Sequence, residues 1–297
     1  MNKRNAPLAL VIVAALWGSS YVVTKICVSS GMYTFETLLF RLSLSSVLIW
    51  IAFRKNLHNF TRTAVRSGVL MGIVTAANYA LEINGLARVP ASKAGFLVAT
   101  STVMFSFLHS AVHRTRPQFS VIIAAVLSTI GVGVLGLNSG QMGRISIGDV
   151  LLLLSAAVCA VRNLLIADMK ETDSRIQITF LQLSVAAVLL APAAFVQGFS
   201  GAYTKECVAA ILYVAIFPTV FCHIIKNTAM KFVNPVLCTL ILATESIFCA
   251  LVSVMLMKDP VTWQLLVGSA MIISAIVLKV LAPMWAEKAE NQKRNRF

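Results

Sequence analysis

Seven ionisable residues fall within or at the rims of long apolar runs: Arg41, Arg162, Lys226, Lys279, Glu36, Glu82 and Glu245. A charge near the centre of a bilayer costs about 2.5 to 3.5 kcal/mol on insertion scales, so each of these groups needs a reason to be there. Glu245 is the deepest. It stands roughly twelve residues into its run, about 18 Å along a helix rising 1.5 Å per residue, close to the midplane of a core about 30 Å thick. A carboxyl at that depth can carry protons, oppose a substrate amine, pair with a buried Arg, or serve as a hydrogen-bonded structural acid. Arg162 lies about five residues from the end of its run, where it can snorkel to the interface or receive a substrate carboxylate through a bidentate fork. Arg41 sits at a similar depth from the opposite side. Glu82, with Asn78 one turn before it, can pair with Arg41 as an outer gate or as a fixed brace. Lys226 is expected to snorkel, and His223, one turn earlier, is either a hydrogen-bonded core histidine or a proton relay.

Uncharged polar residues cluster as well. In "ALWGSSYVVTK" (15–25), Trp17, Ser20 and Thr24 share one helix face while Gly18, Tyr21 and Lys25 share another. Ser20 and Tyr21 offer hydroxyls at mid-membrane depth, Trp17 an aromatic wall, and Gly18 with Ala14 a small pair for close helix approach. Gly68 and Gly72 repeat that pattern. Gln182 is a further polar candidate, and Pro192 is expected to kink its helix. His109 and His113 have the i, i+4 spacing of a metal pair but no acidic third ligand nearby, so no metal is assigned.

These groups need a scaffold of membrane helices. Of 297 residues, 58% are hydrophobic and 12% charged, against roughly 25% charged in soluble domains, and mean hydropathy is +0.84. The net charge of +14 is that of a membrane protein with basic loops, and leaves no room for a nucleic-acid surface. Six scattered cysteines lack metal or redox spacing and are expected as buried small hydrophobes, and no cofactor is implied.

Ten apolar stretches of spanning length follow, near 7–27, 34–53, 67–87, 91–112, 118–137, 148–167, 176–197, 206–228, 233–257 and 261–282. The fold expected is an all-α integral membrane protein of ten transmembrane helices in two inverted five-helix repeats around a central cavity. Residues 1–137 form the first repeat, 138–147 the linker, 148–282 the second repeat and 283–297 a basic tail. Fifteen loop and terminal Lys and Arg fall on the side holding both termini and six on the other, which puts both termini in the cytoplasm of a cell that keeps the protein in its inner membrane. The halves echo each other at an offset of 144: Ala99, Thr100 and Thr102 align with Ala243, Thr244 and Ser246, Tyr79 with His223 and Glu82 with Lys226. Five spans per repeat turn the second half upside down, the plan of alternating-access carriers.

"WGSSYVVTK", Arg41, "GLARVPASKAGFL", "GDVLLLLSAAVCAV" and "ATES" together resemble the EamA-type ten-helix branch of the drug/metabolite transporter superfamily. That resemblance implies transport of small organic metabolites, often export of amino acids. The family often has Pro in the middle of spans 4 and 9, where this chain has Thr102 and Ser246, and Glu after span 9, where it has Asp259.

The function expected is therefore a secondary exporter of a zwitterionic metabolite such as an amino acid, as monomer or homodimer. The candidate cavity residues are Trp17, Ser20, Tyr21, Arg41, Asn78, Tyr79, Glu82, Thr102, Arg162, Gln182, His223 and Glu245, with Glu245 the candidate for proton coupling. An exporter of organic cations or drugs is the alternative. An intramembrane enzyme is remote, because GxSxG, HExxH and acidic metal clusters are lacking, and no phosphate loop supports primary transport.

Overall fold

The structure, a computed structural model, describes residues 5–114, 119–136, 145–169, 174–230, 232–233, 235–271, 273–275 and 277–278. The expected tail (283–297), most of the linker (138–144) and Lys279 lie outside the described residues.

Every regular element among the described residues is helical. In chain order they are α1 (Ala6–Ser29), α2 (Thr34–Phe53), α3 (Arg62–Leu86), α4 (Ala91–Ala99), α5 (Ser101–Val112), α6 (Phe119–Gly136), α7 (Ile147–Ala167), α8 (Arg175–Gln197), α9 (Lys205–Val214), α10 (Cys222–Ala229), α11 (Pro235–Ala243) and α12 (Glu245–Met257). A further apolar helix, α13, covers Trp263–Ala275. Seven helices or helix runs among the described residues are long and apolar enough to cross a membrane: α1, Thr34–Asn56, α3, Ala91–Val112, α7, α8 and Lys205–Ala229.

Local chemistry starts and stops these helices. Thr61 and Thr204 accept the backbone N–H of Ala64 and Cys207, and Ser146 and Asp149 close a reciprocal capping box at the start of α7. Gly198, at φ +84°, ends α8 in a conformation that suits glycine. α8 itself runs as α-helix through Pro192.

Three spans expected as continuous are interrupted. Ala91–Val112 breaks at Thr100 and Pro235–Met257 at Thr244, and the two breaks have the same construction. Thr100 Oγ1 donates to the Leu97 carbonyl and Thr244 Oγ1 to the Ile241 carbonyl, each at 2.6 Å. The backbone tightens to three-residue spacing at both, from Thr100 N to Leu97 O and Val103 N to Thr100 O, and from Thr244 N to Ile241 O and Ile247 N to Thr244 O. A Thr hydroxyl bonded back to its own turn bends a helix without proline. The third interruption is a π-helical segment, Ala215–Phe221, containing Pro218, which cannot donate an amide hydrogen bond. Side chains bond to carbonyls in and beside this segment: Thr219 Oγ1 donates to Val214 O at 2.6 Å, Trp17 Nε1 to Pro218 O at 2.7 Å and Ser45 Oγ to Ala215 O at 3.1 Å.

Contacts between distant helices build the bundle. α1 lies on α12, and α4 and α5 lie on α7; α3 lies on α8, and α2 on both α8 and the π segment; α3 meets α7, and α1 meets α9 and α10. Glycines set the closest approaches. A Cβ on Gly18 would stand 2.5 Å from Glu245 O and 2.7 Å from Cys249 N, so only glycine lets α1 lie on the break in the Pro235–Met257 span. Gly68 and Gly72 meet Leu181 and Val185 of α8 in the same way.

Two different closures flank the middle of the bundle. At the end holding the start of α1, the proximal end, an apolar cluster joins Ala6, Leu10, Ala64, Ile166, Ile178, Met230 and Cys238. The distal end is tied by polar contacts. Lys25 Nζ donates to the carbonyls of Leu86 (2.7 Å), Ala87 (3.1 Å) and Val89 (2.9 Å), covering the exposed C-terminus of α3. Lys93 pairs with Asp149 at 2.8 Å, Ser92 Oγ donates to Asp259 at 2.9 Å, and Ser200 Oγ donates to Glu36 at 2.8 Å. The Glu36 carboxylate also holds the Tyr203 hydroxyl above its ordinary pKa by hydrogen bonding to it.

Candidate functional site

Between the two closures lies a cavity lined by Trp17, Ser20 and Tyr21 of α1, Arg41 of α2, Tyr79 and Glu82 of α3, Val98 of α4, Cys159 and Arg162 of α7, and Glu245 of α12. The break in the Pro235–Met257 span puts Glu245 at the first residue of α12, so the carboxyl stands beside the helix start rather than within an unbroken wall. Its volume is about 40 Å³. By that measure a water takes roughly 10–15 Å³, so the cavity holds about three waters and must widen before a metabolite fits. A smaller adjoining cavity shares Ser20, Tyr21, Arg41, Tyr79 and Glu82 with it.

The two guanidinium groups lining this cavity bond only to neutral partners. Arg41 Nε donates to Thr219 Oγ1 at 2.7 Å, its NH2 reaches the Tyr79 hydroxyl at 3.5 Å, and its guanidinium lies 4.8 Å from the Tyr79 ring centroid. Arg162 donates to Cys159 Sγ at 3.2 Å, and its buried Nε has no hydrogen-bond partner among the described residues. Arg162 is only 5% exposed, so it does not snorkel. Glu82 and Glu245 form no side-chain hydrogen bond or ion pair among the described residues. The expected Arg41–Glu82 pair is therefore not made, although both side chains face the same cavity. Two guanidinium and two carboxyl groups thus converge without neutralising each other through contact.

Eight of the twelve residues expected at the site line this cavity: Trp17, Ser20, Tyr21, Arg41, Tyr79, Glu82, Arg162 and Glu245. His223 lies one layer behind. Its Nε2 is 3.4 Å from the Tyr79 hydroxyl, its Nδ1 2.9 Å from Thr219 O, and its ring meets Trp17 edge-on. The other three bond between helices. Asn78 Nδ2 donates to Ser155 Oγ at 2.8 Å, Gln182 Nε2 to Thr75 Oγ1 at 2.8 Å, and Thr102 Oγ1 to Thr239 O at 3.2 Å. Val98, Cys159 and Thr219 were not marked by sequence, the first two because an apolar side chain and a lone thiol carry no chemical signature. Thr219 carried one legible hint, its place beside Pro218 in an apolar run.

Lys226 departs from expectation. It is 1% exposed, donates to Asn163 Oδ1 at 2.6 Å and stands 5.2 Å from the Trp17 ring centroid. His109 and His113 stack at 4.2 Å, and His113 contacts Asp168 at 3.4 Å. No group of three or more metal-ligating side chains occurs among the described residues, and the six cysteines are free and buried.

The comparisons with known proteins fit this architecture. The chain is 24% identical over 274 residues to an uncharacterized transporter of Archaeoglobus fulgidus, covering 92% of this chain and 85% of that one. A second uncharacterized transporter of the same organism is 25% identical over 232 residues, covering 75% and 79%. A solved structure described only as "Crystal structure of protein" superposes with a TM-score of 0.71 over 96% of this chain and 99% of its own, at 16% identity, which speaks for the fold alone. The model of the EamA-like transporter family matches twice, over residues 5–137 and 146–281. With nearly the whole chain matched, the protein belongs to the EamA-like transporter family, within the drug/metabolite transporter superfamily, and is a multi-pass membrane transporter rather than an enzyme.

Proposed function

We propose that the protein is a secondary transporter, working as an exporter, for a small zwitterionic metabolite such as an amino acid, with its site in the cavity between α1, α2, α3, α7 and α12. One observation carries this reading: two guanidinium groups and two carboxyl groups line one cavity, each without an ion-pair partner among the described residues. Uncompensated charges in a low-dielectric interior are costly, and a ligand bearing both an amine and a carboxylate offsets both kinds at once. A lone cation would suit Glu82 and Glu245 but leave Arg162, which lines the same cavity, still without an anion.

Alternating access between two inverted repeats is the mechanism we infer. The double match of the family model supports two repeats, as do the identical breaks at Thr100 and Thr244, spaced by the 144-residue offset. Reciprocal helix pairings are what a two-fold relation between halves would produce. On this reading α6, the broken α11–α12 run and α13 complete ten spans, and the charge bias of the loops puts both termini in the cytoplasm. The proximal apolar cluster and the distal polar ties are then the two closures that open in turn. Glu245 is the candidate proton carrier.

The test is uptake of radiolabelled amino acids and organic cations into proteoliposomes, with and without an imposed pH gradient, for wild type, Glu245→Gln and Arg162→Gln. Gradient-responsive amino-acid transport lost in Glu245→Gln supports coupling through that carboxyl. Amino-acid transport that ignores the gradient and survives Glu245→Gln leaves a facilitator. Transport of organic cations that survives Arg162→Gln overturns the zwitterion reading.

A further inference from the structure

One buried charge beside the cavity has no role in binding a simple zwitterion. Lys226 is 1% exposed, its one hydrogen bond goes to the neutral Asn163 Oδ1, and no carboxylate lies within the 4.0 Å of an ion pair among the described residues. Lys226 overlies the Trp17 indole at 5.2 Å, and that indole lines the cavity. Asn163, which receives the Lys226 hydrogen bond, follows Arg162 on α7, and Arg162 lines the cavity together with Trp17.

The formal charges then fail to cancel. Counted with each acid ionised and each base protonated, Arg41, Arg162 and Lys226 bring three positive charges against the two of Glu82 and Glu245, an excess of +1 that protonation of Glu245 would only enlarge. His223 lies behind the cavity wall, bonded to Tyr79 and Thr219, and is not among the lining residues. Lys25, Lys93, Asp149 and Glu36 are engaged at the distal end. A zwitterion brings no net charge and leaves that +1 in place; a ligand with one amine and two acidic groups removes it.

We propose that the transported metabolite carries a second acidic group, giving it a net charge of −1, and that Lys226 is the residue that selects for it. An acidic amino acid is the simplest member of this class. The repeat geometry strengthens the assignment. Lys226 falls at the position of the second repeat that Glu82 holds in the first, and Glu82 lines the cavity. When the repeats exchange conformations, Lys226 takes the cavity-facing place and meets the ligand directly. This inference rests on the zwitterion reading above and narrows it.

The experiment is transport by the full chain in proteoliposomes of two isosteric pairs, glutamate with glutamine and aspartate with asparagine, for wild type, Lys226→Gln and Lys226→Arg. The ligand's second acid, in contact with the far face of the indole at about 3.5 Å, would stand about 9 Å from the ammonium, given its 5.2 Å to the ring centroid. One unit charge across about 9 Å at an effective dielectric constant of about 20 amounts to roughly twentyfold in affinity. Wild type and Lys226→Arg should therefore prefer the acidic member by an order of magnitude, and Lys226→Gln should lose that preference. The ratio is internal to each variant, so a loss of folded protein cannot imitate the change. Wild type that carries the neutral member as well or better overturns the inference while leaving the zwitterion reading intact, and so does Lys226→Gln with an unchanged ratio. Wild type that carries organic cations and neither amino acid overturns both.

Discussion

Replacing Gly18 by alanine perturbs fold and site together. The added Cβ would meet Glu245 O at 2.5 Å, Cys249 N at 2.7 Å and Phe248 Cβ at 2.8 Å. Two of these three atoms are backbone, so no side-chain rotation relieves the contact. Ordinary carbon contacts begin near 3.5 Å, so α1 and α12 must separate by about 1 Å. Overpacking of that kind costs typically 1–3 kcal/mol. For a chain of this size, a loss of about 1 kcal/mol lowers Tm by roughly 2–4 °C, so a fall of several degrees is expected in detergent. The same shift moves the backbone that carries Glu245 relative to Trp17, Ser20 and Tyr21, so transport should fall by more than the loss of folded protein explains. The assay is thermal unfolding of purified Gly18→Ala beside uptake per folded molecule. Gly201→Ala is the control. It strains a residue at φ +70° with no atom within 4 Å of the new Cβ, so it should lower stability modestly and leave transport unchanged. A Gly18→Ala protein with wild-type Tm and wild-type uptake would refute the close approach on which the site geometry depends.

Other residues separate bracing from binding. Asn78→Ala and Gln182→Ala each remove one side of a buried hydrogen bond between helices and should cost about 1–3 kcal/mol in thermal unfolding, with substrate affinity unchanged. Arg41→Lys loses the planar fork that holds Thr219 and overlies Tyr79, so KM for uptake should rise about tenfold while Tm moves little. Lys93→Met strands the buried Asp149 and should destabilise by about 3–5 kcal/mol in thermal unfolding, and adding Asp149→Asn should recover much of that loss.

The membrane class was legible because composition leaves no alternative, and the charged cavity residues because each pays a burial cost that sequence makes visible. Tyr79 and His223, which the sequence pairs only by an offset of 144, stand in contact. What sequence concealed has physical causes. Thr100 and Thr244 break their helices through side-chain bonds to their own turns, which no Gly or Pro announces. Asn78, Gln182 and Thr102 read like cavity groups because a one-dimensional pattern cannot tell a face turned to a cavity from one turned to a neighbouring helix. Lys226 was expected at the interface because it lies near a helix end, yet α1 and α7 close over that end and bring Trp17 and Asn163 to it.

The most direct test of a site built for both charges of a zwitterion is competition. Uptake of a transported radiolabelled amino acid would be measured against the intact unlabelled compound, its decarboxylated amine and its desamino acid. The intact compound should compete at least tenfold better than either half, because each half leaves one pair of charges, Arg41 and Arg162 or Glu82 and Glu245, without its counterpart. An amine that competes as well as the whole molecule would contradict the account and make this cavity a cation site.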